Sequence, residues 1–424
     1  MCFHPSRGRR RTHRCVPGIS DRTRPHSLSE IQLRKHLGTA RRAYNWGLQR
    51  KLSCHKESRP APNWMGLSRE LNASKATAYP WLYDVSKSIP IEALKDLDRG
   101  FVAFFRRGKS RKSPVGFPKF KRKRDDRGSC RFRGIIRLSS RHIQLPRVGL
   151  IRLKETDYLP SSGVKILSAT VTHIAGHWFA SVNVQESIQI PENAGPAIGV
   201  DLGLTALATL SDGTVVAPPR FLKRESPRLG RAARAVSRAA PNSHNRVKAK
   251  RRLARLHLRV ANRRKDAIHK FTSSLTKTKS VIVIEDLGIS RLRRNHSLAT
   301  AFQDRALAEV RRQLLYKSTW HGSRVVVVPN FFPSTRTCSN CGYRNPEVPL
   351  VERVFRCQAC GASLDRDLNA ALNLVAVAAS SADTKNACRV GIRPLLERQP
   401  TMKQEPDSPE NGQTSCHSLF GSSG

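Results

Sequence analysis

Residues 324–374 read RVVVVPNFFPSTRTCSNCGYRNPEVPLVERVFRCQACGASLDRDLNAALNL. RVVVV is an unbroken β-branched run, the pattern of a strand buried on both faces. DLNAALNL at the far end reads as a helix that Asp367 opens and that runs through Ala370, Ala371 and Leu374. Between them stand two CxxC knuckles, Cys338 with Cys341 and Cys357 with Cys360, separated by 15 residues. Four thiolates at that spacing can close a tetrahedron around zinc, and Gly342 and Gly361 after the knuckles supply the permissive backbone such turns use. A closed four-thiolate site leaves no open position, so this zinc is expected to be structural. The ribbon is spliced into something else, between a strand and a helix.

Upstream, VIVIED (281–286) is a second buried strand, and AFQDRALAEVRRQLLYKSTW is a helix between it and RVVVVP, an order that implies an α/β layer. IGVDLGLTALATLSDGTVV reads as a strand, a turn and further strands, followed by a long helical region with an apolar stripe at Leu253, Leu256, Val260, Ala267 and Phe271. Three acids fall at the edges of these elements: Asp201 in IGVDLGL, Glu285 at the end of VIVIE, and Asp367 at the helix start. Phosphodiester hydrolysis by two divalent ions needs three or four acidic ligands converging on metals about 3.5–4 Å apart, and carboxylates suit Mg²⁺ or Mn²⁺. Singly, each has a plainer reading: GxDxG is a common strand-turn sequence, Glu285 with Asp286 is an ordinary strand end, and Asp365 with Asp367 suits a helix N-terminus. Together, in a strongly cationic chain, they point to a metal-dependent nuclease.

The charge is consistent with that. The 424 residues carry 77 Lys and Arg against 31 Asp and Glu, a formal net charge of +46 with a sequence pI near 11.2. A polyanion is the expected partner. RRGKSRK, KFKRKR, RVKAKRR and RLRRN are candidates for phosphate neutralisation. Tyr44, Asn45 and Trp46, with Lys119, Phe120, Lys121 and Arg122, are candidates for nucleic-acid contact, the aromatic rings by stacking on bases. No run of 18 apolar residues and no secretory leader pattern is found, so no membrane partner is expected and the localisation read from the sequence is cytoplasmic and nucleoid-associated. Cys2, Cys15, Cys54, Cys130, Cys388 and Cys416 are scattered without pattern, as in a reducing compartment.

Residues 1–26 show no periodicity and are expected to be loose. From Ser27, Ile31, Leu33, Leu37, Ala40, Tyr44 and Leu48 recur at helical spacing, and helical signals run to about Gly108. From Cys130 to Glu186 the pattern changes to short alternating runs, notably VKILSATVTH and WFASVNVQE, so the helical block is an insertion before or within a β-rich unit. Beyond Asp383 the composition is that of a disordered tail.

As a set, RRAYNWGL, GFPKFK, QLPRVGLIRL, GVDLGLTALATLSDG, RRLARLHLRVANRRKDAIHKFT, VIVIEDL, FFPSTRTCSNCG and CQACGASLDRDLNAALNL closely resemble TnpB, the insertion-sequence-encoded relatives of type V CRISPR nucleases. The resemblance covers roughly 27–380. It implies α/β plus β architecture: an RNase H-like RuvC nuclease domain (191–334 and 365–380) carrying the four-cysteine zinc ribbon (335–364), preceded by a β-barrel wedge domain (111–190) with a helical recognition region (27–110), and a disordered tail (381–424). It further implies a guide RNA made from the transposon end, a double-stranded DNA target beside a short flanking motif, two Mg (or Mn) ions at Asp201, Glu285 and Asp367, and one structural zinc at the four cysteines. A monomer is favoured. Asp367 is preferred to Asp365 because it directly precedes the family's LNAA stretch. TnpB-like chains usually open with a short strand, whereas MCFHPSRGRRRTHRCVPG does not read as one. The alternative function is a nuclease-inactive RNA-guided repressor. An actin-like ATPase is disfavoured by the missing second Gly-rich phosphate loop, and a DNA-joining transposase by the lack of any end-binding feature.

Overall fold

The computed structural model describes residues 11–14, 21–23, 27–108, 116–123, 127–155, 164–186, 189–203, 205–286, 306–329, 332–346 and 352–382. RLRRN, most of RRGKSRK and the tail beyond 382 lie outside the described residues.

The first unit begins with β1 (Arg11–Arg14) and β2 (Asp21–Thr23), which both pair antiparallel with a later strand. At Arg11–Arg14 and Asp21–Thr23 this differs from the expectation of a loose start. RTHR has no apolar alternation, but a backbone added to a sheet edge is held by main-chain hydrogen bonds that any non-proline residue can make. Three helices follow, α1 (Ser27–Lys56), α2 (Trp64–Ala73) and α3 (Ser88–Gly108). Then come β3 (Arg127–Phe132), the meander β4 (Arg137–Leu138), β5 (His142–Leu145) and β6 (Gly149–Arg152), and the hairpin β7 (Lys165–Ile174) and β8 (His177–Glu186). Ala175 and Gly176 join the hairpin with φ of 54° and 77°, the two positive values a two-residue turn of this hand requires.

One antiparallel sheet runs β1-β8-β7-β3, with β2 also on β8. The helical block therefore lies within the β unit, between β2 and β3. One core unites them: Leu33 and Leu48 of α1, Leu94 and Leu97 of α3, Phe132, Trp178 and Ala180 of the sheet, and Ile143 and Ile151 of the meander. Glu92 on α3, with a side chain 3% exposed, accepts a hydrogen bond from Arg131 at 3.1 Å, lies 2.9 Å from Arg133 as an ion pair, and ties the helical block to β3. Glu92 is the buried member, so losing its arginine partners would leave a carboxylate uncompensated inside the fold, which favours this seating of the block.

The second unit comprises β9 (Ile198–Asp201), β10 (Ala208–Leu210), β11 (Val215–Val216), α4 (Phe221–Arg238), α5 (His244–Thr278), β12 (Val281–Glu285), α6 (Leu307–His321) and β13 (Arg324–Val328). After it come β14 (Val354–Arg356), β15 (Ser363–Asp365) and α7 (Arg366–Ala382). The sheet order is β11-β10-β9-β12-β13; β9, β12 and β13 are parallel, and the two edge strands are antiparallel. Alternation sends Ile198, Val200, Ile282 and Ile284 into a core with Ile268 and Leu275 of α5 and Leu307, Val310 and Leu314 of α6. The opposite face, with Val283, Val326 and Val328, packs on Leu374 of α7.

Candidate active site and metal centre

Cys338, Cys341, Cys357 and Cys360 bring their sulfur atoms within 4.8 Å of one another. Cys338–Cys360 and Cys341–Cys357 are 3.7 and 3.6 Å apart. A tetrahedron with Zn–S bonds of about 2.3 Å has edges of about 3.8 Å, so the cluster can hold a metal such as zinc. Gly342 and Gly361 have φ of 76° and 69°, the conformation expected after each knuckle.

Strand register places the first two acids. Ile284 of β12 pairs in parallel with Val200 of β9, so the next residues, Glu285 and Asp201, stand side by side at the carboxyl ends of adjacent strands. Residues two apart share a face, so Asp201 lies with Gly199 and Glu285 with Val283, on the face that α7 covers. A β-carbon at Gly199 would stand 2.0 Å from the Ala371 carbonyl oxygen and 2.8 Å from the Val375 nitrogen, so α7 rests directly on β9. Asp367, one helical turn before Ala371, then comes over the same strand ends. Burial, followed by the negative charges of Asp367 and Glu285, pushes the Asp201 carboxyl up to about 7, against the opposing pull of Arg366. Burial and then Asp286 also raise Glu285, while a hydrogen bond with Ser334 holds it down.

The three acids are thus together in one electrostatic environment. Among the described residues the four cysteines are the group whose ligand atoms all lie within 4.8 Å of one another. Asp365 is otherwise engaged: its carboxylate accepts the Asp367 and Leu368 N–H groups at 2.9 and 3.0 Å and caps α7. Asp286 pairs with Arg311.

The ribbon is fastened to this site by two asparagines that sequence reading passed over. Asn369, fully buried, accepts Ser339 N–H at 2.9 Å and donates to the Thr337 carbonyl at 2.8 Å. Asn373 donates to the Ser334 and Thr337 carbonyls at 2.8 and 2.6 Å. The polar positions in LNAALN, on the helix face turned to the ribbon, were the available signal. Gly199 and Ser334 were missed as well; a glycine inside the apolar run IGV marks close backbone approach.

The proposed nucleic-acid residues divide. Tyr44 is 8% exposed and carries the Lys121 ammonium 3.9 Å from its ring centre, so its face is not open to a base. Asn45 both accepts from and donates to the Lys121 backbone, at 2.8 and 2.9 Å, and Trp46 packs on the core. Tyr44 and Asn45 thus hold the 116–123 segment in place. Lys119, Phe120 and Arg122 are exposed on it. A separate groove between α4 and α5 is lined by Arg228, Lys248, Arg251, Arg252, Arg255 and Arg259. These two helices hold 18 Lys and Arg against two acids, and one of the acids, Glu225, is buried between Arg228 and Arg263.

A family described as "Probable transposase" matches residues 179–296, and a Cas12f1-like TNB domain matches 308–374. A protein of Streptomyces pristinaespiralis, named as a candidate RNA-guided DNA endonuclease, is 33% identical over 400 residues, covering 90% of this chain and 94% of its own. InsQ of Escherichia coli strain K12, similarly named, is 32% identical, covering 83% and 90%. The fold is similar to a chain of a solved Cas12f1–sgRNA–target DNA complex, with a TM-score of 0.50 at 14% identity over 82% of this chain and 83% of that one. With one-third identity sustained across nearly the whole length of a relative, and its ribbon and acids set on this fold, the chain belongs to the TnpB family.

Proposed function

We propose that this protein is an RNA-guided DNA endonuclease that hydrolyses phosphodiester bonds at Asp201, Glu285 and Asp367, beside a short transposon-associated motif. The observation that carries the reading is the pairing of Asp201 and Glu285 on neighbouring strands under Asp367, an acid cluster in which burial, and then the charges of Asp367 and Glu285, raise Asp201 to about 7. Such a cluster is relieved by cations, and carboxylate oxygens select Mg²⁺ or Mn²⁺. Two such ions, when bound, supply an activated water and stabilise the leaving oxygen. The chain's own part is to fix the ligands: β9 and β12 hold two carboxylates by ladder register, Ser334 steadies Glu285, and Asp365 caps the helix that aims Asp367.

The sheet order, with helices on both faces, supports an RNase H-like RuvC domain at 191–334 and 365–380, interrupted by the ribbon. The shared core of the first sheet and the meander supports a wedge domain with the helical insert as recognition region. Guide RNA and target DNA are the polyanions, held by backbone contact with the cationic surface while base pairing reads sequence. The test is to purify the chain with RNA co-expressed from its own locus, sequence that RNA, and challenge a plasmid library randomised beside the guide-matched site with Mg²⁺. Cutting by the parent, with Asp201→Ala binding RNA and target but not cutting, is the expected result. Binding without cutting by the parent indicates the repressor; equal cutting by Asp201→Ala eliminates the proposed site.

A further inference from the structure

Arg353 stands where the ribbon meets the acids. Its Nη1 lies 3.6 Å from Asp367 Oδ2, its Nη2 donates to Thr205 Oγ1 at 2.7 Å, and its carbonyl accepts the Arg366 N–H at 2.7 Å. Thr205 follows β9 in the loop just beyond Asp201, so one guanidinium links that loop to the carboxylate opening α7. The backbone explains why it sits there. β14, which starts at the next residue, pairs antiparallel with β15, setting Val354 opposite Asp365. The knuckle of Cys357 and Cys360 closes the turn of that hairpin, so the cysteine cluster organises the strand pair whose base presents Arg353 to Asp367.

Two cations approach Asp367, and they differ. Arg366 Nε is 3.8 Å away, on a side chain only 12% exposed, packed beneath the helix start. The Arg353 side chain is 53% exposed and can swing into solvent without opening the core. A guanidinium at 3.6 Å on a half-exposed side chain is a weak, exchangeable counter-ion, whereas a divalent ion is a strong one.

We propose that Arg353 is a positioning residue, carried by the ribbon, that holds the Asp367 carboxylate and competes for it with an entering divalent cation. It follows that Arg353 opposes metal loading, and that the ribbon sets the threshold for it. This rests on Asp367 being a metal ligand, as argued under Proposed function.

Mn²⁺ is the probe, its binding to the full-length chain with guide RNA followed by electron paramagnetic resonance, with Asp201→Ala as the blank for ions held by RNA. Arg353→Ala is expected to bind Mn²⁺ about three- to tenfold more tightly than the parent, because a neighbouring positive charge is gone. Arg353→Lys, which keeps the charge, is expected within about twofold of the parent. Unchanged or weaker binding in Arg353→Ala, while Asp367→Ala loses the site, overturns the proposal and leaves Asp367 a ligand. Parent-like binding in Asp367→Ala removes the ligand reading and the proposal with it. Zinc content reports ribbon integrity, and if Arg353→Ala loses zinc, Arg353→Gln is read by the same outcomes.

Discussion

Gly199 and Ala371 lie in backbone contact: a β-carbon on Gly199 would be 2.0 Å from the Ala371 carbonyl oxygen. No side-chain rotation relieves such an overlap, since both partners are main chain. The strand that carries Asp201 and the helix that carries Asp367 are therefore held at a separation only glycine allows.

Gly199→Ala should force α7 off β9. A loss of about 3 kcal/mol or more is expected, at or above the upper range for overpacked cores. Urea unfolding measures the loss. Cleavage should fall by at least about 100-fold even where the variant stays folded, because displaced ligands lose the geometry that catalysis needs.

Asp201 makes a pH-dependent contribution whose sign is fixed by its raised value. In the folded chain the carboxyl keeps its proton up to about 7, against 3.8 ordinarily. The folded state thus binds more protons between these values, and stability falls as pH rises from about 4 to about 7. In magnesium-free buffer Asp201→Asn should be more stable than the parent at pH 8, on the order of 2 kcal/mol, with the gain vanishing below about pH 4. Thermal unfolding across pH checks this, and a parent whose stability rises over that range contradicts it.

Zinc loss should reach the acids through Asn369 and Asn373. Cys357→Ser should release bound zinc and expose the ribbon between 334 and 366 to protease, since a metal site of this kind supplies the folding energy of its module. Ser334 and Thr337 then lose their asparagine donors, and cleavage should be lost while the first unit, with its separate core, keeps its resistance. Limited proteolysis with mass mapping distinguishes this from global unfolding.

A buried cation lies between α5 and α6. Lys317, 3% exposed, donates to the His269 carbonyl, Thr272 Oγ1 and Ser273 Oγ, each at 2.8 Å, and burial lowers it to about 8. A lysine depressed from 10.5 costs stability at neutral pH, and that cost fades as pH rises from about 8 toward 10.5. Lys317→Met should therefore stabilise the protein at pH 7, on the order of 1–3 kcal/mol, and have little effect near pH 10.5. His269, lowered to about 4 by burial and then by Lys317, should make the parent lose stability as pH falls from 6.5 toward 4. Denaturant midpoints at pH 5, 7 and 10 test both residues.

Legibility in the sequence followed the range of the forces involved. The two knuckles, the β-branched strands and the helix after them are local patterns, and the structure has strands, helices and a cysteine cluster where those patterns lie. The opening strand RTHR was not legible, because its partner β8 lies far along the chain and the pairing uses main-chain atoms only. The contacts of Tyr44 and Asn45 with the chain's own 116–123 segment were not legible for a related reason: aromatic and amide groups amid basic residues look alike whatever they face.

The sequence by itself determined which chemistry the chain carries: four thiolates at ribbon spacing, acids at the edges of apolar elements, and an excess of cations. Only the tertiary structure decided that Asp201 and Glu285 are neighbours, that Asp365 caps the helix that Asp367 helps to open, and that Arg353 reaches the Asp367 carboxylate. The reason is physical. Spacing and periodicity act within a few residues, whereas the register of parallel strands and the close approach of Gly199 to Ala371 arise from contacts between segments that meet only when the chain is folded.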